Sequence, residues 1–323
     1  MDLPACSGPA ADHAGLARIG AGKPVAVRSS GYRCHSLRGG GTGLYRWQLP
    51  RDELCRWLPG APWWQDRRRA IPERHDTAYR GASVQHVLDM TSGVVFDETY
   101  TALDSHMAQL DVASGWKNRW NPSWHTNIWD LILSLKDLEC PHGTSFRYRS
   151  IETDVLSFVL QRAAATPLAE LVSRELWAPM GAEEDAYFTV DAAGYALGNG
   201  GFNATLRDYA RFALLHLRGG EINGRRIVST EWIAGTRFGA DPTLFGGIYQ
   251  EVLPAGAYHN QFWIEDTACG VYMARGVFGQ LIYIDPMADF AAVVLSSWPE
   301  FVSTTRTRTA LAAVRSIRGA LSP

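Results

Sequence analysis

Hydrophobic residues recur at helical spacing through the middle of the chain. Apolar residues follow Ser83 at positions i, i+3 and i+4, so a short helix is predicted to begin there and to end at Gly93. Residues 94–126 are rich in aromatic residues but lack such a stripe, and they are predicted to form a long loop. Further helices are predicted, in chain order, over NIWDLILSLKDL, TDVLSFVLQRAAA, PLAELVSRELWAPMG, LRDYARFALLHL and TEWIAGT.

Beyond residue 260 the hydrophobic period changes from that of a helix to that of a strand. Three short runs, GVYMARG, QLIYID and FAAVVLSSW, are separated by turn residues and are predicted to form three successive antiparallel strands. The tail keeps Leu311, Val314 and Ile317 on one face, so a terminal helix should cover that sheet. This order of elements predicts an α+β fold, an antiparallel sheet flanked by helices plus a helical domain.

The first 75 residues differ in composition from the rest of the chain. They are crowded with Arg, Gly and Trp, contain three of the five cysteines and show almost no aliphatic periodicity. Since such a segment has no apolar stripe to bury, no folded element is predicted in it. The chain is therefore divided into an atypical N-terminal segment, residues 1–75, and a folded domain, residues 76–323.

Composition and charge exclude several classes of protein. The chain has 323 residues, 46% of them hydrophobic and 20% charged, which suits one large domain or two closely packed ones. No long apolar run and no signal-peptide pattern occurs, so we expect a cytoplasmic protein without a membrane partner. The net charge is −2 with acidic and basic residues mixed, and nucleic acid is not expected as a partner.

Residue types that bind metals or activate nucleophiles are sparse. The cysteines form no C-x-x-C pair and the nine histidines form no H-x-x-x-H or H-x-H cluster, so no metal site is predicted. Only three lysines occur, Lys23, Lys117 and Lys136. Any mechanism that needs a lysine therefore has three candidates.

Five blocks of sequence carry a family resemblance: SVQHVLDMTSGVVFDETY, GWK, FRYRSIETDVLSFVLQR, ALGNGGFNATLRDYARF and GVFGQLIYIDP. In this order they resemble the serine hydrolases of the penicillin-recognising, class C β-lactamase type, most of all the 6-aminohexanoate-dimer hydrolase branch. The resemblance covers roughly residues 76–300. It implies a β-lactamase/transpeptidase-like fold and cofactor-free hydrolysis of a small amide or ester through an acyl-serine intermediate.

The run Tyr148-Arg149-Ser150 matches the second of three motifs that the resemblance implies, a Tyr-x-Asn or Tyr-x-Ser loop. It stands just before a predicted helix, where a loop can direct a phenol into a cleft. Tyr148 is accordingly predicted to be the general acid/base, with Ser150 as a secondary hydrogen-bonding group. The alternative is a tyrosine that only packs at the entrance of the helix.

The run from Gly276 to Gly279 matches the third motif, a segment between two strands, without the basic residue of many relatives. Because the main chain supplies the oxyanion contact in this motif, the Val277 N–H is predicted to be the oxyanion donor. The alternative is an ordinary strand end flanked by glycines.

Five further residues are candidates for substrate binding. Tyr100 and Asp111 lie where the amide hydrolases keep substrate contacts, and Asp111 could pair with a substrate ammonium group. Asn199 matches an asparagine that lines the cleft of relatives, and Trp116 and Trp263 could form walls of the pocket. Outside the resemblance, these residue types are equally typical of solvated loops, turns and aromatic cores.

The nucleophile motif is missing from its expected place. A Ser-x-x-Lys is implied roughly 45 residues before LDMTSG, but the chain there reads GGGTGLYRW. Either the N-terminal segment is degenerate, or a shifted reading frame in a GC-rich gene produced it, and we favour the second. The one Ser-x-x-Lys, Ser114 to Lys117, is followed by helix breakers, so it is predicted not to be catalytic and its lysine to be solvated.

Two functional classes follow from these residues. The resemblance predicts a serine hydrolase for a small amide or ester, with its nucleophile unidentified. The rival is a non-catalytic relative that binds a small ligand or a partner. A metal-dependent hydrolase is disfavoured because the histidines form no ligand cluster. The identity of the substrate and the oligomeric state are not specified by the sequence.

Overall fold

A computed structural model of the chain describes residues 24–28 and 76–321. Its α-helices are α1 (Val84–Leu88), α2 (His106–Ala113), α3 (Ile128–Ser134), α4 (Ile151–Ala164), α5 (Leu168–Val172), α6 (Leu206–Leu217), α7 (Thr230–Phe238) and α8 (Thr304–Leu321). Its strands are β1 (Val25–Val27), β2 (Ala186–Phe188), β3 (Phe202–Asn203), β4 (Glu221–Ile222), β5 (Arg225–Arg226), β6 (Ala257–His259), β7 (Phe262–Asp266), β8 (Val271–Gly276), β9 (Gln280–Asp285) and β10 (Phe290–Val294).

The main sheet is an antiparallel meander with strand order β10-β9-β8-β7-β6. Met273 on β8 pairs with Trp263 on one side and Tyr283 on the other, and all three side chains belong to one core. That core includes Leu311 and Val314 of α8, whereas alternate residues of the strands face α6. The three strands predicted beyond residue 260 and the covering terminal helix are thus confirmed, although Ile317 of that helix is exposed.

The prediction of three strands is incomplete, because β6 and β7 also belong to the sheet. They form a hairpin whose turn, Asn260 and Gln261, has φ angles of 50° and 67°. Two consecutive residues with positive φ are typical of the tight turns that match strand twist. Strand β6 has only three residues, too few for an alternation of apolar and polar residues to be recognised.

A helical layer built from α1 to α4 holds the second core. Within it, α2 shows that the predicted loop over residues 94–126 is wrong. This helix begins after the N-cap Ser105 and buries six of its eight residues, among them Leu110 and Asp111. A helix buried on nearly all sides has no polar face, so the amphipathic pattern that predicts surface helices is missing.

Caps explain most of the remaining helix boundaries. The Oγ of Ser83 accepts the His86 N–H at 3.0 Å and begins α1 as predicted, but α1 ends at Leu88, before the predicted stop at Gly93. The helix predicted from NIWDLILSLKDL begins at Ile128 but ends at Ser134. Ser229 caps α7 as the sequence predicts, and Thr205 caps α6, one of the two residues, Asn203 and Thr205, that the sequence offers for that cap.

One described element lies in the N-terminal segment, where none was predicted. Strand β1 pairs with β2 in a three-stranded sheet, and Val27 is fully buried in a core with α5. Three residues are too few for periodicity to be detected, which is why the sequence did not indicate them. The remaining predictions for residues 1–75, including GGGTGLYRW, lie outside the described residues.

No single helix within residues 24–28 and 76–321 is long and apolar enough to cross a membrane. Helix α5 continues into a π-helical turn, Ser173–Trp177. Among those residues, only α4 and this joined segment, Leu168–Trp177, satisfy the length and composition, and they do so as a pair across a bend of 77°. The first of them buries Ile151, Val155 and Phe158 in the core of the helical layer.

Candidate active site

A cavity of about 600 Å³ lies between the main sheet, α8 and the loops that precede α2 and α4. Most of its wall is apolar or aromatic, with a few polar groups, which is the usual composition of a small-molecule site. Loops contribute Glu98, Tyr100 and Tyr148, the main sheet and its 276–279 turn contribute Trp263, Arg275 and Val277, and α8 contributes Thr307 and Leu311. The predicted acid/base, the predicted oxyanion donor and two predicted substrate contacts therefore line one cavity.

Tyr148 is held in this wall by aromatic packing. Its ring stacks on Trp263 with centroids 5.5 Å apart and meets Tyr258 edge-on at 6.2 Å. Its backbone N–H donates to the Tyr249 Oη at 3.1 Å. Since α4 begins three residues later, at Ile151, the loop has little room to move its tyrosine.

The surroundings of Tyr148 keep its phenol protonated. Burial raises the pKa of Tyr148 well above its ordinary value, and the Glu98 carboxylate raises it further. The Ser150 hydroxyl and the Arg275 charge act in the opposite direction but do not cancel the shift. At neutral pH the phenol can therefore donate a proton, and it becomes a base only after losing one.

Glu98 anchors the polar side of the cavity and was not predicted as a site residue. Its carboxylate accepts the Ser150 backbone N–H at 3.0 Å and the Tyr100 Oη–H at 2.9 Å, and it also accepts the Ser150 hydroxyl. Burial raises the pKa of Glu98, while the bonds from Ser150 and Tyr100 oppose the shift. A single acid in the run FDETY gives no sequence signal, because its role depends on Ser150, 52 residues away.

Val277 begins a short turn, Val277–Gly279, that joins β8 to β9 and lines the cavity. The Phe278 N–H donates to the Phe301 carbonyl at 2.9 Å, and the Trp298 N–H donates to the Phe278 carbonyl at 3.1 Å. These two bonds fix the turn against the segment before α8. A fixed backbone N–H at a cavity wall is the arrangement that oxyanion stabilisation requires.

Gly279 is the residue on which this turn depends. Its φ is +86°, and a Cβ there would lie 2.2 Å from the Trp298 Cε2. We expect Gly279→Ala to lower the free energy of unfolding by about 1–3 kcal/mol from backbone strain, with the clash against Trp298 adding to that loss. Gly115→Ala is the control, because Gly115 has φ +75° and open space around it. Urea denaturation showing equal losses for the two variants would mean that the Trp298 contact does not hold the turn.

Four predicted site residues lie away from the cavity wall. Ser150 is buried, bound to Glu98 behind Tyr148, and Trp116 packs against the helical core. The amide of Asn199 is buried without a hydrogen-bond partner among the described residues. Asp111 is buried and lies 2.5 Å from the Lys117 Nζ. Their roles in substrate binding stay predictions, and for Asp111 an internal lysine already occupies the place foreseen for a substrate ammonium.

The Ser114 to Lys117 pair lacks the setting of a nucleophile motif. Ser114 is the C-cap of α2, and Gly115 follows it with φ 75°. The serine therefore stands at the end of a helix and not at its head. Lys117 was predicted to be solvated, and its side chain is 47% exposed, but it is also paired with Asp111.

Arg275 is the second site residue that was not predicted. The third motif was interpreted as lacking a basic residue, yet Arg275 directly precedes Gly276 and lines the cavity. Its guanidinium carbon lies 4.7 Å from the centroid of the Trp263 ring.

No group of three or more His, Cys, Asp or Glu side chains that could hold a metal ion converges within the part of the chain that is described.

A family profile described as Beta-lactamase matches residues 49–315, most of the chain. The chain belongs to the β-lactamase family. The predicted β-lactamase/transpeptidase-like fold is confirmed by this match and by solved structures. The octameric penicillin-binding protein homologue from Pyrococcus abyssi superposes with a TM-score of 0.54 at 15% identity, covering 75% of this chain and 58% of that one. A likeness at such low identity concerns the fold alone.

Two closer relatives of this β-lactamase family chain carry one activity name. It is 32% identical over 232 residues to the 6-aminohexanoate-dimer hydrolase of Paenarthrobacter ureafaciens, covering 71% of this chain and 58% of that protein. A structure from Bacillus anthracis, assigned as a 6-aminohexanoate-dimer hydrolase, has a TM-score of 0.67 at 29% identity, covering 79% of this chain and 66% of that one. The resemblance derived from the sequence is confirmed. The chain spans less than two thirds of the length of either relative.

Proposed function

We propose that this β-lactamase family chain hydrolyses a small amide or ester through an acyl-serine intermediate. One observation carries the proposal: Tyr148 and Val277, predicted separately from two motifs, line the same cavity. The relative named as a 6-aminohexanoate-dimer hydrolase supports a linear amide as substrate. A wall with Trp263 and Leu311 suits the apolar part of such a molecule.

The proposed reaction divides the work among three groups. A serine Oγ attacks the carbonyl carbon, and the carbonyl oxygen becomes an oxyanion that accepts the Val277 N–H. Tyr148, protonated at rest, donates its proton to the departing amine or alcohol and takes up the proton that the serine hydroxyl releases in the attack. When water attacks the acyl-serine, Tyr148 takes up a proton of that water and donates its own to the serine Oγ as the ester bond breaks. Glu98 and Ser150 position the Tyr148 loop from behind.

A non-catalytic binding protein of the same fold is the second candidate. The observation that favours it is the run GGGTGLYRW, which has neither serine nor lysine where the nucleophile motif is implied. Both candidates keep the cavity, and they differ in whether a serine of this chain becomes acylated. Labelling therefore decides between them.

We expect a fluorophosphonate probe to label the purified chain at one serine if it is a hydrolase, and mass mapping locates the adduct. Ser114→Ala should leave both the labelling and any hydrolysis of a 4-nitrophenyl ester unchanged, because Ser114 ends a helix and is not at the head of one. If the probe labels no serine of the chain, the result supports the non-catalytic binding protein. An adduct on Ser114, or loss of labelling in Ser114→Ala, would show that the nucleophile has been relocated to α2.

A further inference from the structure

Tyr148 handles two protons in the proposed reaction. It takes up the proton of the attacking serine and donates one to the leaving group, and the tetrahedral intermediate lies between these two steps. Its surroundings keep the phenol protonated at rest, and a neutral phenol has no place for a second acidic proton. Its own proton must therefore pass to another group during the attack.

Few groups on the cavity wall can accept that proton. Among the described residues of the wall there is no lysine or histidine, but there are two carboxyl groups, Asp97 and Glu98. Asp97 accepts the Thr99 hydroxyl at 2.6 Å, and this bond lowers the pKa of Asp97. Burial raises the pKa of Glu98, although bonds from Ser150 and Tyr100 oppose the rise. Glu98 is therefore the stronger base of the two.

A chain of hydrogen bonds joins Glu98 to Tyr148. The Ser150 hydroxyl donates to the Glu98 carboxylate and is also hydrogen-bonded to the Tyr148 phenol. A hydroxyl has one proton to donate and two lone pairs that accept. Since the proton of Ser150 points to Glu98, the Tyr148 phenol donates to the Ser150 oxygen. The bonds thus run in one direction, from the phenol through the serine hydroxyl to the carboxylate, as proton transfer along them requires.

We propose that Glu98 takes up the proton of Tyr148 through the Ser150 hydroxyl during the attack and returns it when the leaving group departs. The proposal rests on the proposed function, since it concerns the same reaction. As the bond from the nucleophile to the carbonyl carbon forms, the nucleophile's proton moves to the Tyr148 Oη, the phenol proton to the Ser150 Oγ, and the Ser150 proton to Glu98. As the bond to the leaving group breaks, Tyr148 protonates that group, Ser150 reprotonates Tyr148, and Glu98 becomes a carboxylate again.

The groups that face Glu98 leave it as the titrating member of this chain. Arg149 favours its ionised form, and Arg275 adds positive charge beside Tyr148. Burial raises the pKa of Glu152, the neighbouring acid of α4, to about 8. Burial also raises the pKa of each surrounding phenol, so all of them stay neutral below that pH; they are Tyr79, Tyr100, Tyr148 and Tyr249.

Glu98→Gln should lower kcat of the full chain for a 4-nitrophenyl ester by about 10²- to 10⁴-fold, because the amide keeps the shape of the side chain but cannot take up a proton. Asp97→Asn is the matched control, since Asp97 is the other carboxyl group of the wall and bonds to Thr99 instead. Its kcat should stay within about threefold of the unaltered value. Circular dichroism checks that both variants are folded.

The pH profile separates proton transfer from a structural role. Glu98 must be ionised to take up the proton, so kcat/KM should fall as the pH drops through its raised pKa, above the ordinary range of glutamate. This acid limb should be absent in Glu98→Gln. It should move to higher pH in Tyr100→Phe, because the bond from Tyr100 lowers the pKa of Glu98.

Ser150 variants test the path itself. Ser150→Ala should lose about as much activity as Glu98→Gln, the double variant should lose no more than either, and Ser150→Thr, which keeps a hydroxyl, should restore most of the rate. This pair also decides the matter if Glu98→Gln does not fold.

Three results would overturn the relay and leave the proposed hydrolysis standing: a loss of less than about threefold in Glu98→Gln, an acid limb that persists in that variant, or a Ser150→Ala variant as active as Ser150→Thr. A chain that neither hydrolyses the ester nor reacts with fluorophosphonate would instead overturn the proposed function, and the relay with it.

Discussion

Tyr148→Phe is expected to lower kcat for a 4-nitrophenyl ester by about 10²- to 10⁴-fold, the usual contribution of a positioned acid/base group. The comparison uses a chain that hydrolyses the ester; under the frame-shift hypothesis for residues 1–75, this is the chain with the corrected upstream frame. The substitution removes one hydroxyl and keeps the ring that stacks on Trp263, so the fold and KM should change little.

Tyr258→Phe is the matched control for this variant. Tyr258 packs against both Tyr148 and Trp263 but does not line the cavity. Removing its hydroxyl therefore tests the effect of altered aromatic packing on kcat, without removing a group that can reach the substrate. Steady-state kinetics and circular dichroism on both variants give the comparison. A loss of less than about threefold in Tyr148→Phe would show that the phenol is a packing residue and that another group carries the proton.

The parts of the fold that could be predicted are those whose cause lies in neighbouring residues. Serine and threonine caps predict the starts of α1, α6 and α7, and the alternation of apolar and polar residues predicts β8, β9 and β10. The helix α2 was missed because burial of six of its eight residues leaves it without a polar face. The strand β6 was missed because three residues are too few to show a period.

The candidate site divides in the same way. Tyr148 and Val277 could be located because family motifs surround them, and the structure brings both to one cavity. The importance of Glu98 and Arg275 depends on which groups fold against them, and a lone acid or arginine in the sequence carries no such information. Asp111 shows the converse, since a residue with a plausible role toward substrate is paired with a lysine six positions away.

Arg149, the central residue of the Tyr-x-Ser run, supports the site through stability. Its side chain is fully buried, where its guanidinium donates to the Val94 carbonyl at 2.6 Å and to the Met90 and Arg147 carbonyls. It also pairs with Glu139 and, at 3.4 Å, with the fully buried Glu152. It therefore ties the loop that carries Tyr148 to the loop before α2 and to the first turn of α4.

Arg149→Met should lower the free energy of unfolding by about 3–5 kcal/mol, because it leaves the Glu152 carboxyl buried without its cation. Burial raises the pKa of Glu152 and Arg149 opposes the rise, so loss of the arginine raises that pKa further. The folded variant then holds a proton that the unfolded chain releases above the ordinary glutamate pKa. Its stability must accordingly fall as the pH rises from that value toward the raised one.

The unaltered chain holds the same proton up to a pKa of about 8, so the two stabilities differ in their pH dependence only above that value. Urea denaturation of Arg149→Met should therefore show a larger loss at about pH 9.5 than at about pH 7, both relative to the unaltered chain. Arg147→Met is the matched control, because Arg147 pairs with the same Glu139 but its side chain is 57% exposed. A surface pair of this kind contributes about 0–1 kcal/mol, and its loss should not depend on pH through Glu152. Two results would contradict this account: similar losses for the two variants, or a loss in Arg149→Met that shrinks as the pH rises. Either result would mean that Glu152 forms no ion pair with Arg149 and that the bonds from Arg149 to the backbone carbonyls alone hold the loop.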